Sequence, residues 1–514
     1  DLRQFKLSTM PGIQDAGDKA GFGFYRLLYL EDTCPDDVAT PLKNVLDLTP
    51  LFKDDILEFQ LPAGRWRIFR FGYSLTGKTN HPASPEATGL EVDKLDSAAV
   101  RRYYKAYLDT YRKASGGRLG PDGISHMLTD SYEAGPQTWT RNLKKEFRNR
   151  KGYDLVRWLP ALTGMVLNST SETERFLFDW RMCIGEMIAE NHYDIQNDGL
   201  GEYGMKRYTE SHENYRANLT DGMDCKRHAE VPMSAFWMGY RQGSVFTPRF
   251  EADIRESASV AHIYGQNIAA AESFTSDGLR DGAWVFSPAV LRPSADAAMA
   301  AGLNRFIIHC SPHQPVDDKK PGLGLGRYGQ WFDRHQTWAG QARAWTDYLS
   351  RSCEMLQKGR FVADVAIYYG EDNNLTGIYL KDYPAMPDGY NYDYFSPSVL
   401  MDVARPENGT IVTPSGMRYR VLSLGPNVRS MSIRILRRIR EYADAGVPIC
   451  GKVPERLAGL EGSEEEFQAL VKDIWHSGRP NVRAGADAGA FLGRTHQRET
   501  GLTPQAWRAA FKKS

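Results

Sequence analysis

Two short apolar runs in this chain end in acidic side chains. The first, Ile124–Leu128, leads into a polar tip that carries Glu133, and the second, within residues 265–275, carries Glu272. Each run is typical of a buried parallel strand, and β/α barrels place their chemistry at the carboxyl ends of such strands. Two glutamates facing one cleft predict acid–base catalysis on a glycosidic bond. The alternative is that each glutamate caps the positive end of the following helix.

Other polar and aromatic side chains near these strand ends are candidates for binding a sugar. They belong to the first tip, to the Phe-Trp segment and to the run Phe-Ile-Ile-His-Cys-Ser-Pro-His-Gln: Asp130, Tyr132, Trp237, His309, His313 and Gln314. Imidazole and amide groups can hydrogen-bond sugar hydroxyls, and aromatic faces stack on the apolar faces of sugar rings. A structural role for either histidine alone is the competing interpretation.

The segment Tyr208-Thr-Glu-Ser-His-Glu213 places Glu210, His212 and Glu213 at a further predicted strand end. These side chains suit a sugar clamp, a site for a hard cation or an additional catalytic carboxylate; the alternative is a solvated loop. Asp224 follows in Asp-Gly-Met-Asp and, with Glu213, is a candidate metal ligand. Two aspartates around a glycine also describe an ordinary turn.

The elements that must position these residues alternate between strand and helix from about 63 to 358. This alternation predicts an α/β fold with a (β/α)8-type catalytic barrel. Periodicity and capping signals predict helices near residues 98–114 and 171–196, and an alternating strand after the turn at 61–64. The interval of roughly 80 residues between the Glu133 and Glu210 strands is long for a regular repeat, and it predicts an insertion or a further strand.

The regions on either side of the predicted barrel differ from it in composition and in their pattern of apolar residues. Residues 1–62 are rich in turn formers and are interpreted as the end of a β-rich domain. Residues 359–480 contain continuous apolar strands and a helix, which predict a small open parallel α/β domain. Residues 481–514 form an unassigned tail. Because the chain begins at Asp1 with no signal pattern, we expect it to be a processed chain or part of a longer protein.

Composition excludes several functional classes. Lys and Arg together number 64, as do Asp and Glu, so the formal net charge is zero and gives no long-range attraction to nucleic acid or anionic membranes. No apolar run approaches the ~18 residues of a membrane span. The six cysteines include no Cys-x-x-Cys pair, so the common zinc and redox spacings are missing. The pair of glutamates, and not the composition, makes an oligosaccharide or polysaccharide the expected partner.

Several segments in conserved order resemble glycoside hydrolase family 106, the α-L-rhamnosidases. They extend from about residue 60 to 350: Leu61-Pro-Ala-Gly-Arg-Trp-Arg-Ile, Phe71-Gly-Tyr-Ser-Leu-Thr-Gly, Gly89-Leu-Glu-Val-Asp-Lys, Asp130-Ser-Tyr-Glu-Ala-Gly, Leu159-Pro-Ala-Leu-Thr-Gly, Glu174-Arg-Phe-Leu-Phe-Asp-Trp-Arg, Val231-Pro-Met-Ser-Ala-Phe-Trp, Ala261-His-Ile-Tyr-Gly, Ala271-Glu-Ser-Phe-Thr and His309-Cys-Ser-Pro-His-Gln-Pro. Where many members look like Pro-Met-Gly-Glu-Phe-Trp, this chain has Ala235 in the position of the glutamate. Glu210 or Glu213 is expected to supply that carboxylate, or the activity has changed.

The resemblance implies a catalytic β/α barrel, inversion at the anomeric carbon, dependence on Ca²⁺, and a periplasmic or extracellular multidomain protein. It also makes residues 361–480 look like an amidotransferase-like accessory domain. The hypothesis is an inverting exo-glycosidase with Glu133 as acid and Glu272 as base, although the sequence leaves the order of the two open. The rivals are a non-catalytic carbohydrate-binding barrel and a retaining β-galactosidase-like enzyme.

Overall fold

A computed structural model of the 514-residue chain describes residues 39–81, 83–211, 220–238, 246–276, 286–320, 322–325, 328–329 and 332–492, together with the backbone of 13–14 and 25–26. Within these residues the molecule is an α/β protein built on two five-stranded parallel sheets. None of the described helices combines the length and the apolarity that crossing a bilayer requires.

The first sheet is a curled half-barrel whose strands follow one another in chain order. Its strands are β1 (His126–Thr129), β2 (Lys206–Thr209), β3 (Val231–Trp237), β4 (Ala270–Thr275) and β5 (Arg305–Ile308). Every neighbouring pair is parallel. The described residues thus contribute five strands of the predicted eight-stranded barrel, and closure by further strands stays a prediction.

Helices connect and cover these strands. They are α1 (Ser97–Ala114), α2 (Leu143–Lys151), α3 (Thr170–Ile188), α4 (Ile195–Gly201), α5 (Gly222–Lys226), α6 (Pro248–Tyr264), α7 (Pro288–Ala300) and α8 (Ala342–Leu356). The Asp96 side chain caps α1 by accepting from two backbone N–H groups. Ser169 rather than Ser171 caps α3, which passes through a π-helical turn at Ala189–Asp194 into α4.

The long interval between the first two strands is a helical insertion. It contains α2, a 3-10 helix at Val156–Thr163, and the long α3–α4 rod, while β1 and β2 pair directly. These helices pack through their own apolar cluster, which includes Phe147, Phe176 and Trp180. Of the two alternatives left open by the sequence, an insertion rather than a further strand is therefore observed among the described residues.

The second sheet is open, with the order β7-β6-β8-β9-β10. Its strands are β6 (Val365–Tyr368), β7 (Tyr392–Phe395), β8 (Val421–Leu424), β9 (Ile449–Gly451) and β10 (Val482–Ala484). Helices α9 (Leu375–Ile378), α10 (Ile433–Asp444) and α11 (Glu464–Trp475) accompany it. All four residues of β6 are buried, as expected where both faces of a parallel sheet are covered. The last strand lies beyond residue 480, where we expected this segment to end.

The predicted strand after residue 64 is wrong. Residues 65–73 pair with no described strand. Ile68 and Tyr73 would lie on opposite faces of a strand, yet the side chains of both are mostly exposed. Alternating apolar residues become a strand only when a neighbouring strand accepts their backbone hydrogen bonds, and the described residues supply none here. The part of 1–62 that is described contains two antiparallel pairs of two-residue strands, 13–14 with 25–26 and 52–53 with 56–57. The assignment of this region to a β-rich domain stays a prediction.

Candidate functional site

The strand register determines which side chains share the inner face of the half-barrel. Leu128 pairs with Tyr208, Tyr208 with Val231, Met233 with Ala270, and Ala270 with Arg305. Side chains alternate with a period of two, so positions two or four residues further along each strand point to the same side. At the carboxyl edge these positions are Asp130, Glu210, Ala235, Glu272 and His309.

Three of these side chains converge. Asp130, Glu210 and Glu272 each place a carboxylate oxygen within 4.8 Å of the other two, and they form the acidic group among the described residues that could hold a metal ion. Asp130 is exposed, Glu210 is 3% exposed, and Glu272 lies between them in burial. The centre is therefore open to solvent on one side and enclosed on the other.

Glu210 is held from both its backbone and its side chain. Its N–H donates to the Thr129 carbonyl at 3.0 Å, extending the β1–β2 pairing beyond the strand ends. The Ser131 hydroxyl donates to Glu210 Oε2 at 2.6 Å. Ser131 thus links the first tip to the carboxylate of Glu210. In the sequence, only its position beside Asp130 indicated that it could belong to the site.

Glu272 lies inside β4 and accepts a hydrogen bond from the Thr275 hydroxyl. His309 Nδ1 is 3.9 Å from Glu272 Oε1. Burial raises the pKa of Glu272 above its ordinary value, and Asp130 and Glu133 act in the same direction, while His309 and Thr275 oppose them. A carboxylate with a raised pKa that still accepts hydrogen bonds is a good proton acceptor near neutral pH.

Glu133 stands at the rim of the same centre. Its Oε2 is 3.2 Å from Nε2 of His81, and its side chain is 33% exposed. His81 was missed in the sequence because it lies more than 50 residues from the tip, in a segment without a strand or helix pattern. Neither glutamate caps a helix among the described residues: Asn142 precedes α2, and Ser287 precedes α7.

The inner face below the carboxylates is largely apolar. Val231, Met233 and Ala270 pack there with Tyr208 and Ile307. This layer closes the base of the half-barrel, as side chains do inside β/α barrels. The three carboxylates lie above this layer at the carboxyl edge of the sheet, and Arg305 at the opposite end donates to the Tyr208 hydroxyl.

An aromatic pair lies beside the acidic centre. Trp237, the last residue of β3, contacts the Tyr328 ring edge-to-face, with ring centroids 5.8 Å apart. The backbone and side chain of Ser276 both exchange hydrogen bonds with Gly329, which fixes the loop that carries Tyr328. Aromatic rings are a suitable surface for the apolar face of a sugar.

The remaining predicted binding residues occupy different environments. Tyr132 is buried in the helical cluster, and its hydroxyl donates to the Gly135 carbonyl. Gln314 is also buried and forms hydrogen bonds with Leu323 and Asp333, so its amide serves the loop after β5. His313 is exposed. The structure places only His309 of this group against a carboxylate of the centre.

Asp224 lies in a separate buried network rather than in the acidic centre. It accepts from the Ser398 hydroxyl, and Arg227 Nη1 is 3.9 Å away. Burial raises its pKa. His212 and Glu213 lie outside the described residues. The predicted metal pair of Glu213 and Asp224 stays a prediction; among the described residues, the oxygen ligands that could hold a metal ion are those of Asp130, Glu210 and Glu272.

The chain matches known proteins along most of its length. The α-L-rhamnosidase family, glycoside hydrolase family 106, matches residues 2–498. A rhamnosidase from Novosphingobium sp. PP1Y is similar in structure, with a TM-score of 0.83 and 39% identity over 91% of this chain and 45% of that chain. A Formosa agariphila protein provisionally named a β-glucuronidase is 35% identical over 91% of this chain and 39% of its own length.

The chain thus spans less than half the length of these two relatives. The family match covers both sheets and every described residue of the acidic centre. The chain belongs to glycoside hydrolase family 106, the α-L-rhamnosidases.

Proposed function

We propose that this chain is the catalytic part of an inverting, exo-acting α-L-rhamnosidase that cleaves plant or microbial polysaccharides or glycosides. The observation that carries the proposal is the convergence of carboxylates at the carboxyl ends of adjacent parallel strands, the position at which β/α barrels act. Family membership supplies the sugar class.

In the proposed mechanism Glu133 donates a proton to the leaving oxygen and Glu272 accepts a proton from the attacking water. Inversion requires carboxyl groups ~6.5–9.5 Å apart, with room for the sugar and a water. Asp130 is too close to Glu272 for that, since their nearest oxygens are within 4.8 Å. Glu133 at the rim is the remaining acid on the first tip. Burial, the larger effect, raises the pKa of Glu272, while Thr275 and His309 act in the opposite direction and favour the ionised form that a base requires.

Asp130 takes a binding role in this assignment, and Glu210 supplies the carboxylate that many family members carry at the position of Ala235. Together with Glu272 they provide hard oxygen donors that suit Ca²⁺ better than Zn²⁺ or Cu²⁺. A bound cation would offset the repulsion among three carboxylates and orient sugar hydroxyls. Trp237 would stack on the sugar, and His309 would hydrogen-bond it. Localisation in the periplasm or outside the cell belongs to the same proposal.

A β-glucuronidase is the second candidate, because the Formosa agariphila relative carries that name and Ala235 departs from the common family pattern. A glucuronide brings its own carboxylate into a centre that already holds three acidic groups. Like charges at this distance repel strongly in a partly buried site. A neutral 6-deoxy sugar is therefore the better fit.

The test is hydrolysis of 4-nitrophenyl α-L-rhamnoside and 4-nitrophenyl β-D-glucuronide, with the product anomer followed by proton NMR. We expect turnover of the rhamnoside and β-L-rhamnose as the first product. α-L-Rhamnose would show a retaining enzyme, turnover of the glucuronide alone would favour the second candidate, and binding without turnover would favour a carbohydrate-binding barrel.

A leaving-group series decides which residue is the acid. Glu133→Gln should lose far more activity on alkyl rhamnosides than on the activated 4-nitrophenyl substrate, because only the poor leaving group needs protonation. Asp130→Asn should lose activity on both alike. The reverse pattern would make Asp130 the acid.

A further inference from the structure

Strands β2 and β3 separate just before the acidic centre. Their pairing ends at Thr209 and Pro232, whereas β3 continues to pair with β4 as far as its end. We call the point where β2 and β3 separate, after Thr209 and Pro232, the fork. Beyond it, Ser211 lies after the end of β2, and Ala235 lies in the part of β3 that no longer pairs with β2. Ser211 follows Glu210, and Ala235 pairs with Glu272 in the register of β3 and β4.

Buried charged side chains occupy the fork. Lys226, at the end of α5, has no exposed surface, and its Nζ lies 2.8 Å from Glu256 Oε1 and 3.6 Å from Asp253 Oδ1, both on α6. Nζ also donates to the Ser257 hydroxyl at 3.0 Å. Burial alone would lower the pKa of Lys226, but the attraction of its two carboxylates raises it above the ordinary value. The lysine is consequently a buried cation.

Each carboxylate contacts a different strand end. Asp253 Oδ2 accepts from the Ala235 backbone N–H at 2.8 Å, where a neighbouring strand would otherwise provide a carbonyl. Glu256 Oε1 accepts from the Ser211 hydroxyl at 3.4 Å. The Ser211 carbonyl in turn accepts from the Tyr132 N–H at 2.8 Å, which extends the connection to the first tip.

We propose that Lys226, with Asp253 and Glu256, is a positioning device that fixes the separation between Glu210 and Glu272. Their described hydrogen bonds reach the two strand ends at Ser211 and Ala235. This inference rests on the proposed function, since it names residues that set the geometry of the same site. A misplacement of about 1 Å at a catalytic group can cost about a hundredfold in rate.

The consequence of removing the lysine follows from charge. Lys226→Met leaves two buried carboxylates without a cation, and the desolvation penalty of an unpaired buried charge is large. Glu256 then takes up a proton or turns away, and Ser211 loses its acceptor. The variant Lys226→Met/Glu256→Gln removes the opposing charge and keeps an acceptor oxygen for Ser211, so it should recover part of the loss.

Gly222 allows a second test that changes no charge. A Cβ atom at this position would lie 2.3 Å from Glu256 Oε1, so Gly222→Ala pushes the carboxylate away from Ser211 and Lys226. Matched controls exist elsewhere in the chain. Lys151 forms a comparable pair with Glu186 at 2.9 Å, and a Cβ at Gly199 would meet only an ordinary contact at 3.9 Å.

The experiment measures kcat, KM and thermal unfolding on the chain, together with crystal structures of the variants. We expect Lys226→Met and Gly222→Ala to lower kcat by about tenfold to a hundredfold, with KM within about twofold, and to change the Glu210–Glu272 separation. The double variant should regain at least about threefold in kcat. Lys151→Met and Gly199→Ala should change neither kcat nor the separation.

Folded Gly222→Ala with wild-type kcat and an unchanged Glu210–Glu272 separation would overturn the proposal, and this variant decides the matter if Lys226→Met does not fold. A loss of melting temperature without change in kcat would likewise reduce the network to a structural role. If the wild-type chain turns over no glycoside, the proposed function fails, and the separation measured in the crystal structures still decides the positioning role.

Discussion

The two parallel sheets of this chain use the carboxylates on and beside their strands differently. In the second sheet, Asp393 has no exposed surface and accepts from Ser259, His262 and Tyr419. In the first sheet, Asp130, Glu210 and Glu272 point at one another.

Glu371, beside the second sheet, also accepts a hydrogen bond from a neighbouring element, as Asp393 does. It lies three residues after the end of β6 and accepts from the Ser432 N–H at 2.8 Å, at the start of α10. A carboxylate at the end of a parallel strand is therefore not enough to indicate a site. Convergence of several such groups, against their mutual repulsion, distinguishes the centre of the first sheet from the packed carboxylates of the second.

The largest expected difference between the two sheets is in catalysis. Glu272→Gln should lower kcat at least about a hundredfold, because the proton acceptor is lost while the shape is kept. Asp393→Asn should lower the melting temperature and leave the kcat of the folded protein unchanged. Steady-state kinetics with circular dichroism on both variants checks this. A Glu272→Gln variant with wild-type turnover would remove the functional contrast between the sheets.

The second expected difference is in the pH dependence of stability. Burial raises the pKa of Glu371 to about 7 from an ordinary value of 4.5. Between these values the unfolded chain loses this proton while the folded chain keeps it, so the contribution of Glu371 to stability is lost as the pH rises towards 7. At about 1.4 kcal/mol per pKa unit the loss is on the order of 3 kcal/mol.

Glu371→Gln should remove this part of the pH dependence. Urea unfolding of the wild type and the variant at several pH values from 4.5 to 8 gives the free energy of unfolding of each. The contributions of other buried acids cancel in the difference between the two proteins. Parallel pH curves for the two proteins would contradict the assignment of a raised pKa to Glu371.

A third difference concerns metal. Chelation with EGTA should reduce rhamnosidase activity, and added Ca²⁺ should restore it, because Asp130, Glu210 and Glu272 offer hard oxygen ligands. Asp130→Asn should raise the Ca²⁺ concentration needed for half-restoration by about tenfold. Asp224→Asn, in the network with Ser398 and Arg227, should not. Full activity after exhaustive dialysis against EGTA would count against a cation at this centre.

Glu210 and Glu213 give a related comparison. Glu210→Gln should cripple catalysis, since Glu210 lies in the acidic centre, whereas Glu213→Gln should mainly weaken substrate or metal binding. The measured quantities are kcat, KM and the Ca²⁺ requirement of the two variants. Greater damage from Glu213→Gln would show that the loop, rather than the strand end, provides the missing carboxylate.

The smallest expected effect is at the aromatic pair. Trp237→Leu should raise KM several-fold with little change in kcat, because stacking on a sugar face holds the substrate in ground state and transition state alike. Saturation kinetics on the rhamnoside tests this. The matched Trp475→Leu change, on α11 beside the second sheet, should leave KM unaltered.

The sequence by itself determined much of this protein. Periodicity revealed α1, α3 and several strands of each sheet, because an apolar side and capping residues are local properties; β7 and β10 were not predicted. The run of motifs around Asp130, Glu272 and Trp237 indicated the family. Even the positions of the tips followed from apolar segments that end in acidic residues.

Only the tertiary structure decided which of these residues meet. Register, a property of pairs of strands, brought Asp130 and Glu210 together across 80 positions and left Tyr132 and Gln314 as packing residues. His81 approaches Glu133 from a segment without a local pattern. The fork occupied by Lys226 also depends on where two strands stop pairing, and no single segment of the chain encodes that point.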